Sequence, residues 1–302
     1  SYSFTARVAS AFGPLGPLSA ARSLVLDTSA PTITVSIDAL ADNVGAIQGS
    51  LAAGASSDDT TPSLSGGLSA ALAPGDSLRV FNGSLPLGSA SVNNTTRTWS
   101  YTPSPGLSAG SYNFSVAVAD AAGNLAPASN AWAFNLDTSA PSLTISSGAS
   151  VLKAGDTTTI TFSFSEDPGT SFSWNGVAGD VTLTGGSLSA ISGSGLTRTA
   201  TFTPTANSVG TATVKVAAGS YNDAAGNPGG AASSAPLTVD TIPPTIGAAI
   251  TSVSDDVGLW QGEVAEGGRS DDATPTLSGS LTAALASGDN LWVFNEIGRA
   301  HV

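Results

Sequence analysis

The chain has 302 residues, 22 of them acidic and 9 basic, and its formal net charge at pH 7 is −13. A charge of this sign argues against nucleic acid and anionic lipid as partners, because both repel an acidic surface. The sequence contains no cysteine, which excludes disulfide bonds, and no apolar run approaches the roughly 20 residues of a membrane-spanning helix.

The chain begins with a segment that recurs later. Residues 1–31 align without a gap with residues 111–141, and more than half of the positions are identical. Residues 37–82 align equally well with residues 250–295. A fixed period of this kind is typical of tandem modules. We predict the C-terminal fragment of one module (1–28), two complete modules of different subfamilies (29–138 and 139–241), the N-terminal half of another (242–295) and a tail (296–302).

The first complete module contains short runs in which apolar and polar residues alternate. This period of two predicts strands with one buried and one polar face. Gly, Pro, Asn and Asp separate the runs, and about seven such strands predict an immunoglobulin-like β-sandwich. The aromatic residues fall on one alternating face, which favours core packing over a sugar-binding platform. The predicted strands lie at 33–37, 62–68, 78–80, 87–92, 99–101, 112–118 and 132–136.

The second complete module shows the same kind of pattern with a different sequence. Asn175-Gly176 is a strong hairpin signal, because both residues tolerate a positive φ. We therefore predict an all-β fold of tandem immunoglobulin-like β-sandwich modules in an extended array. The predicted strands lie at 143–145, 159–164, 172–174, 181–183, 198–202 and 211–216.

The motif Asp-Thr-x-x-Pro marks three module junctions, at 27–31, 137–141 and 240–244. We expect a strand to end on the Asp-Thr pair and the proline to begin the next module, because proline cannot donate a ladder hydrogen bond. Such short linkers leave little freedom between neighbours. The array is therefore predicted to behave as a semi-rigid rod.

The last part of the chain differs from its counterpart in two ways. Residues 242–295 make only about half a sandwich, which cannot close its own core. The alignment then breaks at 296–302, a heptapeptide that one reading frame of a widely used sequencing adapter encodes, so we exclude it from the fold.

Trp260 replaces Ile47 of the earlier copy and is predicted to be buried, whereas Trp292 replaces Arg79 and is predicted to be exposed.

Several short motifs recur in the chain or stand out in it. They are Asp-Thr-Ser-Ala-Pro (137–141), Asp-Ala-Ala-Gly-Asn (120–124 and 223–227), Ser-Asp-Asp-Thr-Thr-Pro (57–62), Ser-Asp-Asp-Ala-Thr-Pro (270–275), Leu-Lys-Ala-Gly-Asp (152–156) and Thr-Phe-Ser-Phe-Ser-Glu (161–166). Together they resemble the bacterial Ig-like repeats of giant surface adhesins, including adhesins exported by type I secretion. The resemblance implies extended stalks on the bacterial surface that present a binding domain located elsewhere in the protein, with calcium stiffening some junctions. It also implies that the partners of these modules are their neighbours in the chain, and that other parts of the protein bind a host or abiotic surface.

Catalytic residues are scarce, and we predict that the chain is not an enzyme. Its single histidine, His301, lies in the excluded tail. Residues 106–110 match the Gly-x-Ser-x-Gly pattern of a nucleophile elbow. That pattern needs a strand-to-helix turn and a histidine partner, and here it precedes a predicted strand. An alternative to the stalk is a set of accessory or carbohydrate-binding modules on a secreted hydrolase.

Calcium is the cofactor that the residues favour, because Asp and Asn oxygens concentrate at loops and junctions, and Ca²⁺ takes six to eight oxygen ligands. The alternative is that these side chains bind their own turn backbone. Ser10 and Pro14 replace Asp120 and Asn124 in the first fragment, which supports that alternative. The predicted ligands are the junction residues Asp27, Asp137 and Asp240, the paired residues Asp58, Asp59, Asp271 and Asp272, and the turn residues Asp120, Asn124, Asp223 and Asn227.

Overall fold

The structure is a computed structural model that describes residues 1–286 and 288–294. Every regular element in this part of the chain is a β-strand. The predicted all-β fold is confirmed. The chain divides into two compact units, Ser1–Thr241 and a second unit that begins at Ile242, and each is described by itself.

The first unit opens with a two-stranded antiparallel hairpin of β1 (Tyr2–Phe4) and β2 (Arg22–Leu24). Its apolar side chains face solvent, and Phe4 is 58% exposed. A lone two-stranded hairpin has no second layer against which to bury them.

The first complete module is a sandwich of two five-stranded sheets. One sheet has the order β4-β3-β6-β10-β9, and the other has the order β5-β12-β11-β7-β8. The β5–β12 pair is parallel, which joins the segment after β4 to the last strand of the module. The strands are β3 (Ala39–Asp42), β4 (Gly49–Leu51), β5 (Ser56–Ser57), β6 (Ser63–Gly67), β7 (Ser77–Asn82), β8 (Leu85–Ser89), β9 (Ser91–Asn93), β10 (Thr98–Tyr101), β11 (Gly110–Ala119) and β12 (Trp132–Leu136).

The alternating residues of this module form its core as predicted, and Leu64, Val80 and Phe114 are fully buried. The predicted strand at 33–37 forms only an isolated bridge, between Val35 and Leu68. The Ser36 N–H donates to the Gly67 carbonyl at 3.1 Å, so the segment lies beside the end of β6. The side-chain amide of Asn130 binds both the N–H and the C=O of Ile37, at 3.0 and 3.2 Å, in place of a second neighbouring strand.

The second complete module packs a four-stranded sheet, β13-β15-β18-β17, on a sheet of order β14-β21-β19-β16, with β20 pairing β19. Ile160, Phe162 and Phe202 are fully buried between the sheets. The strands are β13 (Leu143–Ser147), β14 (Val151–Lys153), β15 (Thr158–Phe164), β16 (Val181–Thr184), β17 (Gly186–Leu188), β18 (Thr197–Pro204), β19 (Val209–Val216), β20 (Ala232–Ser233) and β21 (Leu237–Asp240).

The turn at Asn175-Gly176 forms as predicted, with Gly176 at a φ of 97°. The predicted strand at 172–174 is wrong, because this segment makes only an isolated bridge at Trp174. The carboxylate of Asp180 accepts the Ser173 N–H at 2.6 Å and so takes the place of a ladder partner.

The second unit contains a three-stranded antiparallel sheet, in which β22 (Ala248–Asp255) lies between β23 (Gly262–Glu263) and β24 (Thr276–Leu281). Trp260 is 85% exposed, so the prediction that it is buried is wrong, because it lies in the loop after β22. Trp292 is 74% exposed, as predicted. The predicted tail at 296–302 lies outside the described residues.

Candidate metal site at a module junction

The two Asp-Ala-Ala-Gly-Asn turns are held by their own aspartates. Asp120 Oδ1 accepts the Asn124 N–H at 2.8 Å, and Asp120 Oδ2 accepts the Asn124 side-chain amide at 2.8 Å. Asp223 Oδ1 accepts three backbone N–H groups, from residues 225 to 227, and its Oδ2 accepts the Asn227 side-chain amide. Both carboxylates therefore stabilise their own turns through hydrogen bonds, a role that needs no metal.

Each turn also reaches a junction motif far away in the sequence. The Asn124 side chain donates to the backbone carbonyl of Asp27 at 3.3 Å. The Asn227 side chain makes the equivalent bond to the carbonyl of Asp137 at 2.9 Å. The Asp-Ala-Ala-Gly-Asn turn of a module thus binds the linker through which the chain enters that module. Sequence reasoning treated the two motifs as separate sites.

The paired-aspartate loop of the first complete module surrounds a buried hydroxyl. Ser57 donates to Asp42 and accepts the Asp59 N–H at 3.0 Å. Asp59 in turn accepts the Thr61 N–H at 2.7 Å. Asp42 and Asp59 are 3% and 0% exposed. The second member of the pair is therefore a structural residue of its own loop.

The second unit repeats this arrangement. Ser270 donates to Asp255 at 2.6 Å and accepts the Asp272 N–H at 3.0 Å. The hydrogen bond from Ser270 is the main reason why the pKa of Asp255 lies below its usual value. The arrangement therefore forms in both copies. In each copy it depends on an aspartate of the preceding strand, Asp42 or Asp255, which was not among the predicted ligands.

Asp58, the first member of its pair, faces the junction between the two complete modules. Its N–H donates to the carbonyl of Ala225 in the second module at 3.1 Å. One of its carboxylate oxygens, Oδ1, is buried and has no hydrogen-bond partner. The other lies against Gly45, where φ is 65° and a Cβ atom would collide with it. The fold thus holds a carboxylate at the junction and leaves one oxygen unsatisfied.

Three more carboxylates meet on the other side of this junction. Asp137, Glu166 and Asp223 each place one oxygen within 4.8 Å of the other two. Asp223 is buried, whereas Asp137 and Glu166 are half-buried. Glu166 follows the end of β15, so the linker, a strand end and the Asp-Ala-Ala-Gly-Asn turn all contribute to the group. We call Asp58, Asp137, Glu166 and Asp223 the junction cluster.

The electrostatics of the junction cluster are repulsive. Burial raises the pKa of Glu166, and the charges of Asp137 and Asp223 raise it further. Burial also raises the pKa of Asp58, with added repulsion from Asp42 and Asp223 among others. Within the described part of the chain, no Lys or Arg forms a salt bridge with a member of the cluster.

Residues 30–138 match a family model described as a bacterial Ig-like domain, and residues 137–239 match a second model with the same description. The chain contains bacterial Ig-like domains in tandem. We refer to the first complete module as the first Ig-like domain and to the second complete module as the second Ig-like domain. The predicted family is confirmed.

Two solved structures are similar to the chain. The I9-I11 tandem from titin is 12% identical, with a TM-score of 0.30 over 67% of this chain and 65% of that one. A 1.5-MDa bacterial ice-binding adhesin, described for its retention on the host cell surface, is 20% identical, with a TM-score of 0.35 over 75% of this chain and 71% of that one. No curated protein matches the chain significantly.

The earlier junction, which leads into the first Ig-like domain, has fewer acidic groups. Thr34 and Ser69 exchange the same two hydrogen bonds as Ser142 and Ser165 in the second Ig-like domain. Position 70 therefore corresponds to position 166, and it holds alanine. The carboxylates that remain there are Asp27, which is exposed, and Asp120.

The structure thus gathers some of the predicted ligands and separates others. Asp137 and Asp223 meet in one group with Glu166, and Asn227 donates to the Asp137 carbonyl and to the Asp223 carboxylate. The charge of Asp223 also raises the pKa of Asp58, after burial and the charge of Asp42. Asp240 is exposed at the end of β21 in the first unit, whereas Asp271 and Asp272 belong to the second unit.

Glu166 and Asp42 were missing from the predicted ligands. Glu166 ends the apolar alternation of β15, and Asp42 is one of the residues shared by the two aligned copies, as Asp255. The end of the alternation could have identified Glu166, and the shared position could have identified Asp42. Neither pattern indicates that Glu166 approaches Asp137. That approach depends on how the linker enters the second Ig-like domain.

The Gly-x-Ser-x-Gly segment lies in the loop before β11, and the hydroxyl of Tyr112 donates to the carbonyl of Ser108 at 2.6 Å. Bacterial Ig-like domains are typically non-catalytic. His301 lies outside the described residues. No helix in the described part of the chain has the length and apolar composition to cross a bilayer.

Proposed function

We propose that this chain is a stalk segment of a bacterial surface adhesin and that calcium locks the junction between its two complete Ig-like domains. The observation that carries the calcium proposal is the group of three carboxylates at the junction, which Asp58, with its unsatisfied, buried Oδ1, faces from the first Ig-like domain. A buried acceptor without a partner costs free energy, and so does an unneutralised group of like charges. A bound cation would relieve both.

The donor set fits calcium better than it fits softer metals. All four side chains of the junction cluster are carboxylates, and hard cations such as Ca²⁺ prefer oxygen ligands. The chain has no cysteine. Zinc sites are mostly built from Cys and His ligands. Backbone carbonyls and water can complete the coordination shell of Ca²⁺, because its geometry is flexible.

The position of the cluster explains what the ion would do. Asp58 belongs to the first Ig-like domain, Asp137 to the linker, and Glu166 and Asp223 to the second Ig-like domain. An ion bound to all three parts would cross-link them and restrict bending at the linker. A stalk needs this property to hold a binding domain at a distance from the cell, so we propose an extracellular location at the bacterial surface.

Calcium titration of the full chain by isothermal calorimetry tests the site. Wild type is expected to bind one calcium ion more than Glu166→Gln, because the amide removes a charge and a carboxylate ligand. Glu266→Gln is the matched control, since Glu266 is an exposed residue of the second unit. If Glu166→Gln binds as many ions as wild type does, the calcium proposal is wrong.

The stalk proposal competes with accessory modules on a secreted hydrolase. Tandem bacterial Ig-like domains and the repetition of module segments at 1–31 and 250–295 support the stalk. The sequence of the full gene distinguishes the two. We expect many further repeats, and a neighbouring catalytic domain would favour the hydrolase instead.

A further inference from the structure

The Asp-Ala-Ala-Gly-Asn turn of the second Ig-like domain is covered by the first Ig-like domain. In this turn Ala225 is 2% exposed, and Gly226 and Asn227 are also buried. The Asp58 N–H donates to the carbonyl of Ala225 at 3.1 Å, and the Ala46 N–H donates to the carbonyl of Gly226 at 3.4 Å. The backbones of the two domains are therefore in direct contact at this turn.

The glycine at position 226 permits the contact. Its φ is 104°, a conformation that residues with a Cβ atom rarely adopt. A Cβ atom on Gly226 would lie 3.2 Å from the backbone nitrogen of Ile47 and 3.5 Å from the Ile47 Cβ. A side chain at this position would therefore push the turn away from the first Ig-like domain.

The loop that receives the turn, residues 43–48, is held from inside its own domain. Asp42 accepts the Val44 N–H at 2.8 Å, and Asp59 accepts the Asn43 N–H at 3.3 Å. Both carboxylates are buried. Because the shape of the loop is fixed by these bonds, little further ordering is needed when the turn binds to it.

The linker is bound by both domains at one residue. The Asp137 N–H donates to the carbonyl of Ser57 in the first Ig-like domain at 3.0 Å. The Asp137 carbonyl accepts the side-chain amide of Asn227 from the second Ig-like domain at 2.9 Å. These two bonds hold the turn beside the first Ig-like domain, because they leave the linker no slack between the domains.

We propose that the two Ig-like domains dock directly on each other without calcium, through the turn at 223–227 and the loop at 43–48. The contacts are backbone hydrogen bonds and the close approach at Gly226, and none of them uses a metal. Interdomain hydrogen bonds contribute little net free energy each, so docking is reversible.

The junction cluster acts on the same equilibrium. The charges of Asp58 and Asp223 repel each other across the contact, which opposes docking. A calcium ion at the cluster would remove this repulsion and shift the equilibrium further towards the docked arrangement. The docking itself does not rest on the calcium proposal, because its contacts lie in the backbone.

Amide hydrogen exchange of the full chain in chelator, measured by NMR, tests the docking. In wild type the amides of Ala46 and Asp58 are expected to exchange roughly tenfold more slowly than in an unstructured chain, because both donate across the contact. Gly226→Ala should remove this protection. The amide of Val214, in the core of the second Ig-like domain, should still exchange slowly and shows that the variant is folded.

Two further variants separate docking from backbone strain. Gly155 has a φ of 85° in the same domain, and a Cβ atom there would meet nothing within 4 Å. Gly155→Ala therefore introduces similar strain without touching the contact, and it should keep the protection of Ala46 and Asp58. Gly45→Ala acts from the first Ig-like domain, since its Cβ atom would collide with the Asp58 carboxylate, and it should remove the protection.

The proposal is overturned if the wild-type amides of Ala46 and Asp58 exchange in chelator as fast as in an unstructured chain, whether or not calcium then protects them. It is also overturned if Gly226→Ala keeps their protection, or if Gly155→Ala loses it. All these samples contain chelator, so the outcome is independent of whether the junction cluster binds calcium, which the calorimetric titration decides.

Discussion

Replacing Asp223 by Ala is expected to lower the free energy of unfolding of the second Ig-like domain by about 3 kcal/mol in chelator. The Asp223 side chain is 4% exposed and accepts four hydrogen bonds, three of them from backbone N–H groups of its turn. Alanine leaves these buried donors without an acceptor, and the Asn227 side chain loses the carboxylate that holds it against the Asp137 carbonyl. Differential scanning calorimetry of the full chain measures the loss.

Asp120→Ala is the natural control, because Asp120 occupies the same place in the first Ig-like domain. Asp120 is half-buried, and water can reach the donors of its exposed turn. We expect a clearly smaller loss there, because water can satisfy the donors that the carboxylate leaves. Equal losses in the two variants would contradict the account, because burial is the property that distinguishes the two turns.

The double variant Asp58→Asn, Glu166→Gln is expected to change the stability of the chain in opposite directions depending on calcium. In chelator at neutral pH the variant should unfold at a higher temperature than wild type, because two negative charges leave a repulsive cluster. In calcium at a hundredfold excess over the dissociation constant the order should reverse, since binding stabilises wild type alone by about 2.7 kcal/mol. Thermal unfolding under the two conditions measures both differences.

The pH dependence of the chelator experiment follows from the pKa shifts. Burial and neighbouring carboxylates raise the pKa of both Asp58 and Glu166 in the folded protein. Their ionised forms therefore destabilise the fold above the raised pKa, and this cost disappears as the pH falls below the ordinary carboxyl pKa. In chelator, the higher unfolding temperature of the variant should therefore disappear as the pH falls from the raised pKa to below the ordinary carboxyl pKa. Asp38→Asn, at an exposed site, should show neither the advantage nor the reversal.

Most of the fold could be predicted from local pattern. The period of two places Trp99, Phe114 and Phe134 in the core, because alternation on a strand decides which face is buried. The segments at 33–37 and 172–174 form only isolated bridges. In each segment a side chain, from Asn130 or Asp180, accepts a backbone N–H, and apolar pattern carries no information about such bonds.

The candidate site could be predicted only in part. Asp137 and Asp223 belong to motifs that recur in the sequence, so repetition identified them. Glu166 occurs at a strand end and has alanine as its counterpart in the first Ig-like domain, so repetition could not find it. Only the approach of the linker to the second Ig-like domain brings Glu166 to the other two residues.

The repeated contact between a turn asparagine and a linker carbonyl explains how junctions of unlike sequence keep a common geometry. Asn124 and Asn227 make it in the first and second Ig-like domains. The junction cluster adds acidic groups to the second of these contacts alone, since residue 70 is alanine where residue 166 is glutamate. We therefore expect calcium to stiffen the second junction and to leave the first unchanged.

The central claim is that calcium fixes the two Ig-like domains relative to each other, and a distance measurement between them tests it most directly. The chain has no cysteine, so Ser91→Cys in the first domain and Ser163→Cys in the second, both at exposed strand positions, provide two unique sites for spin labels. Pulsed electron paramagnetic resonance then gives the distribution of distances between the labels. The account predicts that calcium narrows this distribution in wild type and leaves it unchanged in Glu166→Gln. Equal widths in calcium and in chelator for the wild-type sequence would contradict it.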